Sequence, residues 1–441
     1  NENFYLIQTT ATGDLYTKRI LYGFSFENNR ITVAHYNTRT KQLFLGSDSK
    51  GLFIIQPKKF KATRAMGKSP NDIYYLQTIL SDSSILTDRG KAFSMKGEAQ
   101  SKPLLAMLKK HHAQLLGPDG NLWILTGDSL LFFTADGNRL IRRMPIPEKS
   151  QCLYQTKAGD IWMGSMDGTL YKWNKSSSVF QMKVEAKFQI SWIEQAANGA
   201  LWIGTYNGLF LYAASKSTMT PVKGLVNRHI RSLYYDKENR LWITTYQQGV
   251  YLLEDDKLTH FPLDKNKHIA NAHCLVEDDN NYLWISTNKG LFQVSKKQLL
   301  NYKGKSKQVI DYFYYDKDNG FTTNEFNGGC QPCAIELPNG HFSFPSLDGL
   351  VWFDPLTIQP SFPKGPIIID EINLDGLSID PTNNISLPKD FSRLNLTIAT
   401  PYYGDRKNLN LEYVIDKDSD LTHQWLPFNT ADNTISINNL A

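Results

Sequence analysis

The stretch Asn198–Tyr212, "NGALWIGTYNGLFLY", sets a tryptophan inside a short β-rich run and ends that run on Tyr-Asn-Gly before a second apolar strand. Nearly the same pattern returns as "AGDIWMGSMDGTLYKW" (Ala158–Trp173), "ENRLWITTYQQGVYLL" (Glu238–Leu253) and "NNYLWISTNKGLFQV" (Asn280–Val294). Aligned on the residue that follows the Trp strand, the units form a ladder of Gly51, Gly90, Ser129, Gly168, Gly208, Gly249, Gly290 and Gly349. The steps are roughly 40 residues until the last, a period shared by helical arrays and four-stranded propeller blades.

The inside of each unit decides between them. Around "IRSLYYD" (Ile230–Asp236) lies a β-rich run, then the turn "KENR", then "LWITT", then a turn to Gly249, then "VYLL". These are short strands rich in Ile, Val, Tyr, Trp and Thr between Gly/Asn/Asp clusters. No amphipathic run is long enough for a helical repeat, "KPLLAMLKK" (Lys102–Lys110) being the nearest to one. Small antiparallel sheets that cannot cover their own faces must stack radially, so the fold expected is an all-β propeller of seven or eight four-stranded blades. Trp123, Trp162, Trp202, Trp242 and Trp284 recur at one strand position, where a large flat side chain can wedge between sheets that fan apart. Phe44, Ser84 and Ser343 stand there in the other units.

Residues 1–356 are assigned to the propeller, with 1–30 as ring-closing or neighbouring-module strands and "LYTKRILYGFSF" (Leu15–Phe26) as the candidate strand donor. A proline-rich linker follows at 357–365. From 366 to 441, "IIIDEINLDG", "LNLTIAT" and "LEYVID" read as an incomplete immunoglobulin-like sandwich.

The formal net charge is +5 over 441 residues, without a dense Lys/Arg stripe, which argues against nucleic-acid contact. The basic run "KKHH" (Lys109–His112) is short enough to be a solvated strand entrance. No run approaches the roughly 18 apolar residues of a membrane helix. The chain opens on "NENFY" and stops at "INNLA", which reads as part of a longer protein with any targeting or membrane segment outside it.

The "D..G.LWIGT..GL" unit resembles the regulator-propeller repeat of hybrid two-component sensors of gut anaerobes. The last unit, Asp318–Pro355, is similar to the segment that closes a propeller in that family, and the tail from Pro366, with Tyr413 and Trp425, resembles the start of its Tyr-rich "YYY" domain. The resemblance implies the periplasmic sensor region of an inner-membrane protein. That region would be a homodimer, with a histidine kinase and transcriptional output elsewhere in the chain, switching on glycan-utilisation genes when an oligosaccharide binds. The family usually carries two seven-bladed rings; this chain has units for one.

A propeller gathers the starts of its first strands and the turns between its second and third strands on one face. The first-strand position holds His112, Gln151, Ser191, Arg231 and His273. The turns supply Tyr206 and Tyr246, and "TTNEFN" of the closing unit adds Asn324 and Asn327. Tyrosine faces suit the C–H side of a sugar, and Arg, His, Asn and Gln suit its hydroxyls. Arg231 and His273, on adjacent units, could meet a carboxylate or sulfate.

Other motifs are structural in this reading. "CQPC" (Cys330–Cys333) has redox spacing but precedes a strand rather than opening a helix. "EDDNN" (Glu277–Asn281) and "DKDNG" (Asp316–Gly320) lack the rest of a calcium loop, and His111–His112 point apart on a strand. No cofactor and no metal is expected, and no catalytic residue for this portion of the protein. The competing functions are a propeller lyase with His112 or His273 as base, and a protein-interaction platform.

Overall fold

The computed structural model of the chain describes residues 3–65, 72–108, 112–302, 309–381, 387–388, 391–414, 425–428 and 433–438. Lys109, Lys110 and His111 of the basic run lie outside the described residues. The chain divides into two compact units, Asn1–Lys58 and Lys59–Ala441.

In the first unit, Asn3–Thr9 pairs with Leu15–Tyr22, and Ile31–Asn37, Gln42–Ser47 and Gly51–Ile55 form a three-stranded antiparallel sheet. Of the two roles open to residues 1–30, ring closure is not taken: the Leu15 strand is used by its own hairpin, and the repeat that ends on Gly51 forms its own sheet and supplies no strand to a blade.

Seven of the four-stranded antiparallel sheets described in the second unit are the blades. Blades 1 to 6 occupy 77–101, 113–145, 150–185, 190–221, 230–260 and 272–315. Blade 7 takes three strands from 335–353 and its fourth from Lys61–Thr63, which pairs with Leu350–Trp352. The ring thus begins just after Lys58 and is closed by a three-residue strand from its own N-terminal end. At the seam, Gln77 of blade 1 donates to the Ser343 carbonyl at 2.8 Å, and Ser343 Oγ donates back to Gln77 Oε1 at 2.6 Å.

The tryptophan series behaves as packing. Trp123, Trp162, Trp242 and Trp284 are buried between blades, and Trp242 and Trp284 are wholly inaccessible. Most keep the indole N–H paired: Trp123 donates to Asp119, Trp202 to the Tyr235 hydroxyl, Trp242 to Asp236 and Trp284 to Asp278, at 2.7–3.0 Å. A buried indole needs that partner because an unmet donor would cost about 1–3 kcal/mol. Blade 7 solves the same problem by a swap. Ser343 fills the Trp position, and Trp352 on the neighbouring strand supplies the ring and donates to Ser343 Oγ at 2.8 Å.

Past blade 7, Leu377–Ile379, Ile368–Leu374, Arg393–Ala399 and Thr434–Asn438 form one four-stranded antiparallel sheet in that order, and Glu412–Tyr413 pairs with Leu426–Pro427 in a second. Ile372, Leu374 and Leu394 make a small core of their own. Tyr413 is half-buried, whereas Trp425 is exposed.

Candidate functional site at the channel mouth

The innermost strands of blades 3 to 6 each begin with a β-bulge. The register skips one residue at Gln151, Ser191, Arg231 and His273, the positions that the repeat alignment singled out. A bulge leaves one residue out of the ladder and re-aims its side chain, so four successive blades present an unpaired position at the same end of the channel.

Blades 3 and 4 use that position as a staple. Gln151 Nε2 donates to the Ile190 carbonyl at 3.0 Å, and Ser191 Oγ donates to the Ile230 carbonyl at 2.7 Å, each joining its blade to the next. Gln151 also accepts from Gln189. Blades 5 and 6 do not. Among the described residues Arg231 makes no hydrogen bond and no ion pair, and its Nε is buried without a partner, as is Nδ1 of His273.

Arg231 instead lies beside rings. Its guanidinium carbon sits 5.5 Å from the centroid of Tyr246. His229, two residues before the bulge, stacks on Tyr206 at 3.9 Å and 27° and lies 5.9 Å from Tyr246. The placement follows from the turns: the Tyr206 amide donates to the Gln189 carbonyl and the Tyr246 amide to the His229 carbonyl, so each second turn folds against the start of its own first strand. Tyr206, His229, Tyr246 and Arg231 therefore form one contiguous surface across blades 4 and 5. The two tyrosines are each 44% exposed. His229 was not singled out by the repeat alignment; its signal is a position two residues ahead of the bulged one.

The floor of this mouth is the segment 327–333, which crosses the channel. Asn327 Nδ2 donates to the Tyr74 carbonyl at 2.6 Å, Cys330 Sγ to the Tyr75 carbonyl, and Gln331 exchanges two hydrogen bonds with the Ile193 backbone. Cys333 is disulfide-bonded to Cys274 of blade 6, while Cys330 and Cys152 are free and buried. The "CQPC" cysteines are thus structural, one of them through a partner in another blade. The segment passes over its neighbours closely: a Cβ on Gly328 would meet the His273 ring at 2.6 Å, and one on Gly329 the Arg231 guanidinium at 3.3 Å.

The remaining candidates are placed elsewhere. His273 is 5% exposed beneath Gly328. Asn324 accepts from the Lys317 amide at 2.7 Å and shapes its own loop, Asn327 pins the floor, and the His112 amide donates to the Leu125 carbonyl in blade 2. The site therefore unites Arg231, Tyr206 and Tyr246 and leaves Gln151, His112, Asn324 and Asn327 outside it.

Burial, with the Arg231 charge adding to it, lowers the pKa of His229 to about 4 and of His273 to about 3. Both imidazoles are neutral at pH 7, so the positive charge of this surface belongs to Arg231. A carboxylate group, Asp236–Glu238–Glu277, lies elsewhere with its oxygens within 4.8 Å of one another. Lys296 binds Glu238 and Glu277, and Arg240 binds Asp236 and Glu238, so each of the three carboxylates is paired with a cationic side chain.

With that geometry in view, residues 224–247, which contain Arg231, His229 and Tyr246, match the family described as the two component regulator propeller. The curated relative "Histidine kinase P4" of Formosa agariphila is 23% identical over 288 residues, which are 59% of this chain and 20% of that protein. The fold is that of the extracellular domains of the hybrid two-component systems BT3049 and BT4673 of B. thetaiotaomicron. For BT3049 the TM-score is 0.64 at 19% identity, and for BT4673 it is 0.53 at 14%. Each likeness covers 99% of this chain and 64% of the solved one. The chain thus spans less than two thirds of those structures and a fifth of the curated relative. No helix among the described residues is long and apolar enough to cross a membrane.

Proposed function

We propose that this chain is the periplasmic ligand-sensing portion of a hybrid two-component sensor. The rest of that protein would supply a membrane anchor, a histidine kinase and a transcriptional output for glycan-utilisation genes. The observation that carries the reading is the Tyr206–His229–Tyr246–Arg231 surface: two exposed phenol rings beside a cation without a counter-ion, on a ring whose repeat is that of two-component regulators. Exposed tyrosine faces with adjacent polar donors suit an oligosaccharide, bound without being cut.

The fold likeness to sensor extracellular domains supports the sensor reading, and the proposal adds a homodimer that carries the signal through the sheets after blade 7. A lyase would require a base within reach of the substrate. His273 lies beneath Gly328, which does not favour it.

The test is calorimetric titration of the chain with neutral and acidic oligosaccharides, followed by mass analysis of each glycan. Binding that leaves the glycan intact and is lost in Tyr246→Ala supports sensing. Cleavage of the glycan, or binding indifferent to Tyr206→Ala and Tyr246→Ala, overturns it.

A further inference from the structure

The bulge position has a different fate in each half of the mouth, and that difference points to a ligand chemistry. In blades 3 and 4 its polar side chain is spent on the next blade's carbonyl. In blade 5 the side chain is an arginine, and the described structure gives it no hydrogen bond and no ion pair. A partly buried guanidinium with an unmet N–H is costly to hold, because desolvation is uncompensated. Its neighbours do not share or offset the charge. Tyr246 offers a ring face, Gly329 lies within van der Waals reach, and the two histidines are uncharged at pH 7.

Among the described residues its one compensation is the cation–π contact with Tyr246. This leaves the fork geometry of the guanidinium, which fits a carboxylate or sulfate, without an acceptor. Tyr206 and Tyr246 flank it with exposed faces, so a sugar ring could stack while its acidic group reaches the arginine.

We propose that the channel mouth is selective for an acidic glycan, a uronate or an O-sulfated sugar, with Arg231 as the residue that reads the charge. The inference rests on the reading of this surface as the ligand site and adds the class of ligand. It also separates Arg231 from His273, which takes no part in recognition because it is covered and uncharged.

The experiment uses the 441-residue chain and four glycans in matched pairs: trigalacturonate with its methyl ester, and an O-sulfated neutral trisaccharide with its desulfated form. One acidic member is expected to bind at least about tenfold more tightly than its neutral counterpart, and which one it is tells carboxylate from sulfate. Arg231→Gln should bring the acidic ligand down to the neutral level, and Arg231→Lys should keep part of the preference. Because the guanidinium has no protein acceptor, Arg231→Gln should melt no lower than the parent. A large fall in melting temperature would make Arg231 structural and overturn the inference.

Equal binding of the neutral and acidic members, still lost in Tyr246→Ala, would overturn the charge preference and leave the site standing. Binding insensitive to Arg231, Tyr206 and Tyr246 together would overturn the site as well, and so would silence from all four glycans.

Discussion

Asn408 grips the backbone of Tyr314 with both ends of its amide: Oδ1 accepts from the Tyr314 N–H at 2.6 Å, and Nδ2 donates to the Tyr314 carbonyl at 2.9 Å. Tyr314 lies on the outermost strand of blade 6, Tyr312–Tyr315, so a side chain from beyond the propeller completes the free edge of that blade. Lys407 adds ion pairs to Asp316 and Asp318, and Asn319 donates to Asp405. The loop at 405–408 is thereby fastened to the turn that leads into the channel-floor segment.

Replacing Asn408 by Ala leaves two backbone groups of Tyr314 without their partner. The expected cost is roughly 1–3 kcal/mol. Hydrogen exchange should accelerate at Tyr312–Tyr315 and around 402–411 while blades 2 to 5 keep their protection. Lys407→Ala should do less, since that ammonium is 40% exposed and such pairs contribute about 0–1 kcal/mol.

The Cys274–Cys333 disulfide closes a sequence separation of 59 residues. Cross-linking a loop of that size stabilises by about 4 kcal/mol in the chain-entropy account, less in practice. Cys274→Ser with Cys333→Ser should therefore lower the stability measured by denaturant titration by about 2–4 kcal/mol. Free thiols of the native protein should resist a bulky maleimide, because Cys152 and Cys330 are buried; rapid labelling of Cys330 would contradict the placement of the channel floor, and of Cys152 the packing of blade 3.

Asp236 and Asp278 hold the same place under successive tryptophans and differ in sign. Burial pushes the Asp278 carboxyl up, and the hydrogen bonds it accepts do not offset this. At Asp236 burial also pushes up, yet the donors Trp242 and Arg240 outweigh it and hold the pKa below its usual value. A lowered carboxylate pKa stabilises the fold above the unfolded value near 3.8 and loses that contribution as pH falls through the folded one. Asp236→Asn should consequently destabilise more than Asp278→Asn at pH 7, and melting curves of the two should converge below pH 4. Equal melting temperatures at pH 7 would refute the assignment.

His229 and His273 make the ring acid-sensitive. Both are charged in the unfolded chain below about pH 6.5 and held neutral in the fold, by burial first and by Arg231 second. The unfolded state then binds more protons, so stability falls as pH drops from 6.5 towards 4. Arg231 faces both, and Tyr206 and Tyr246 face His229, with no carboxylate in contact among the described residues. Between pH 6.5 and 5, His229→Gln combined with His273→Gln should flatten the fall in melting temperature.

The repeat made the blades legible because a wedge-filling Trp and a turn Gly must recur wherever sheets fan from an axis. It also marked the bulge column, since aligning on Trp123 to Trp284 puts Gln151, Ser191, Arg231 and His273 in register. It could not tell a stapling residue from an uncommitted one. That depends on whether the neighbouring blade offers a carbonyl, as Ile190 and Ile230 do. The partnership of Cys333 with Cys274 was hidden for the same reason, being a contact between blades that leaves no spacing signature. The closing strand leaves no mark in the repeat because "KAT" at Lys61–Thr63 is three residues long and carries neither Trp nor turn Gly.

That short strand has a mechanical meaning. Lys61–Thr63 is at once the last strand of blade 7 and the continuation of the chain that arrives from Lys58, and it is held through three residue pairs with Leu350–Trp352. Tension on the chain ahead of the ring would first meet the buried Phe60 ring and the hydrogen bonds of the Lys59 and Phe60 amides to the Asn319 carbonyl. The three pairs lie behind that anchor, at the outer edge of the blade. The clasp of the ring is therefore sheltered from a pull on the preceding chain by the residue just ahead of it.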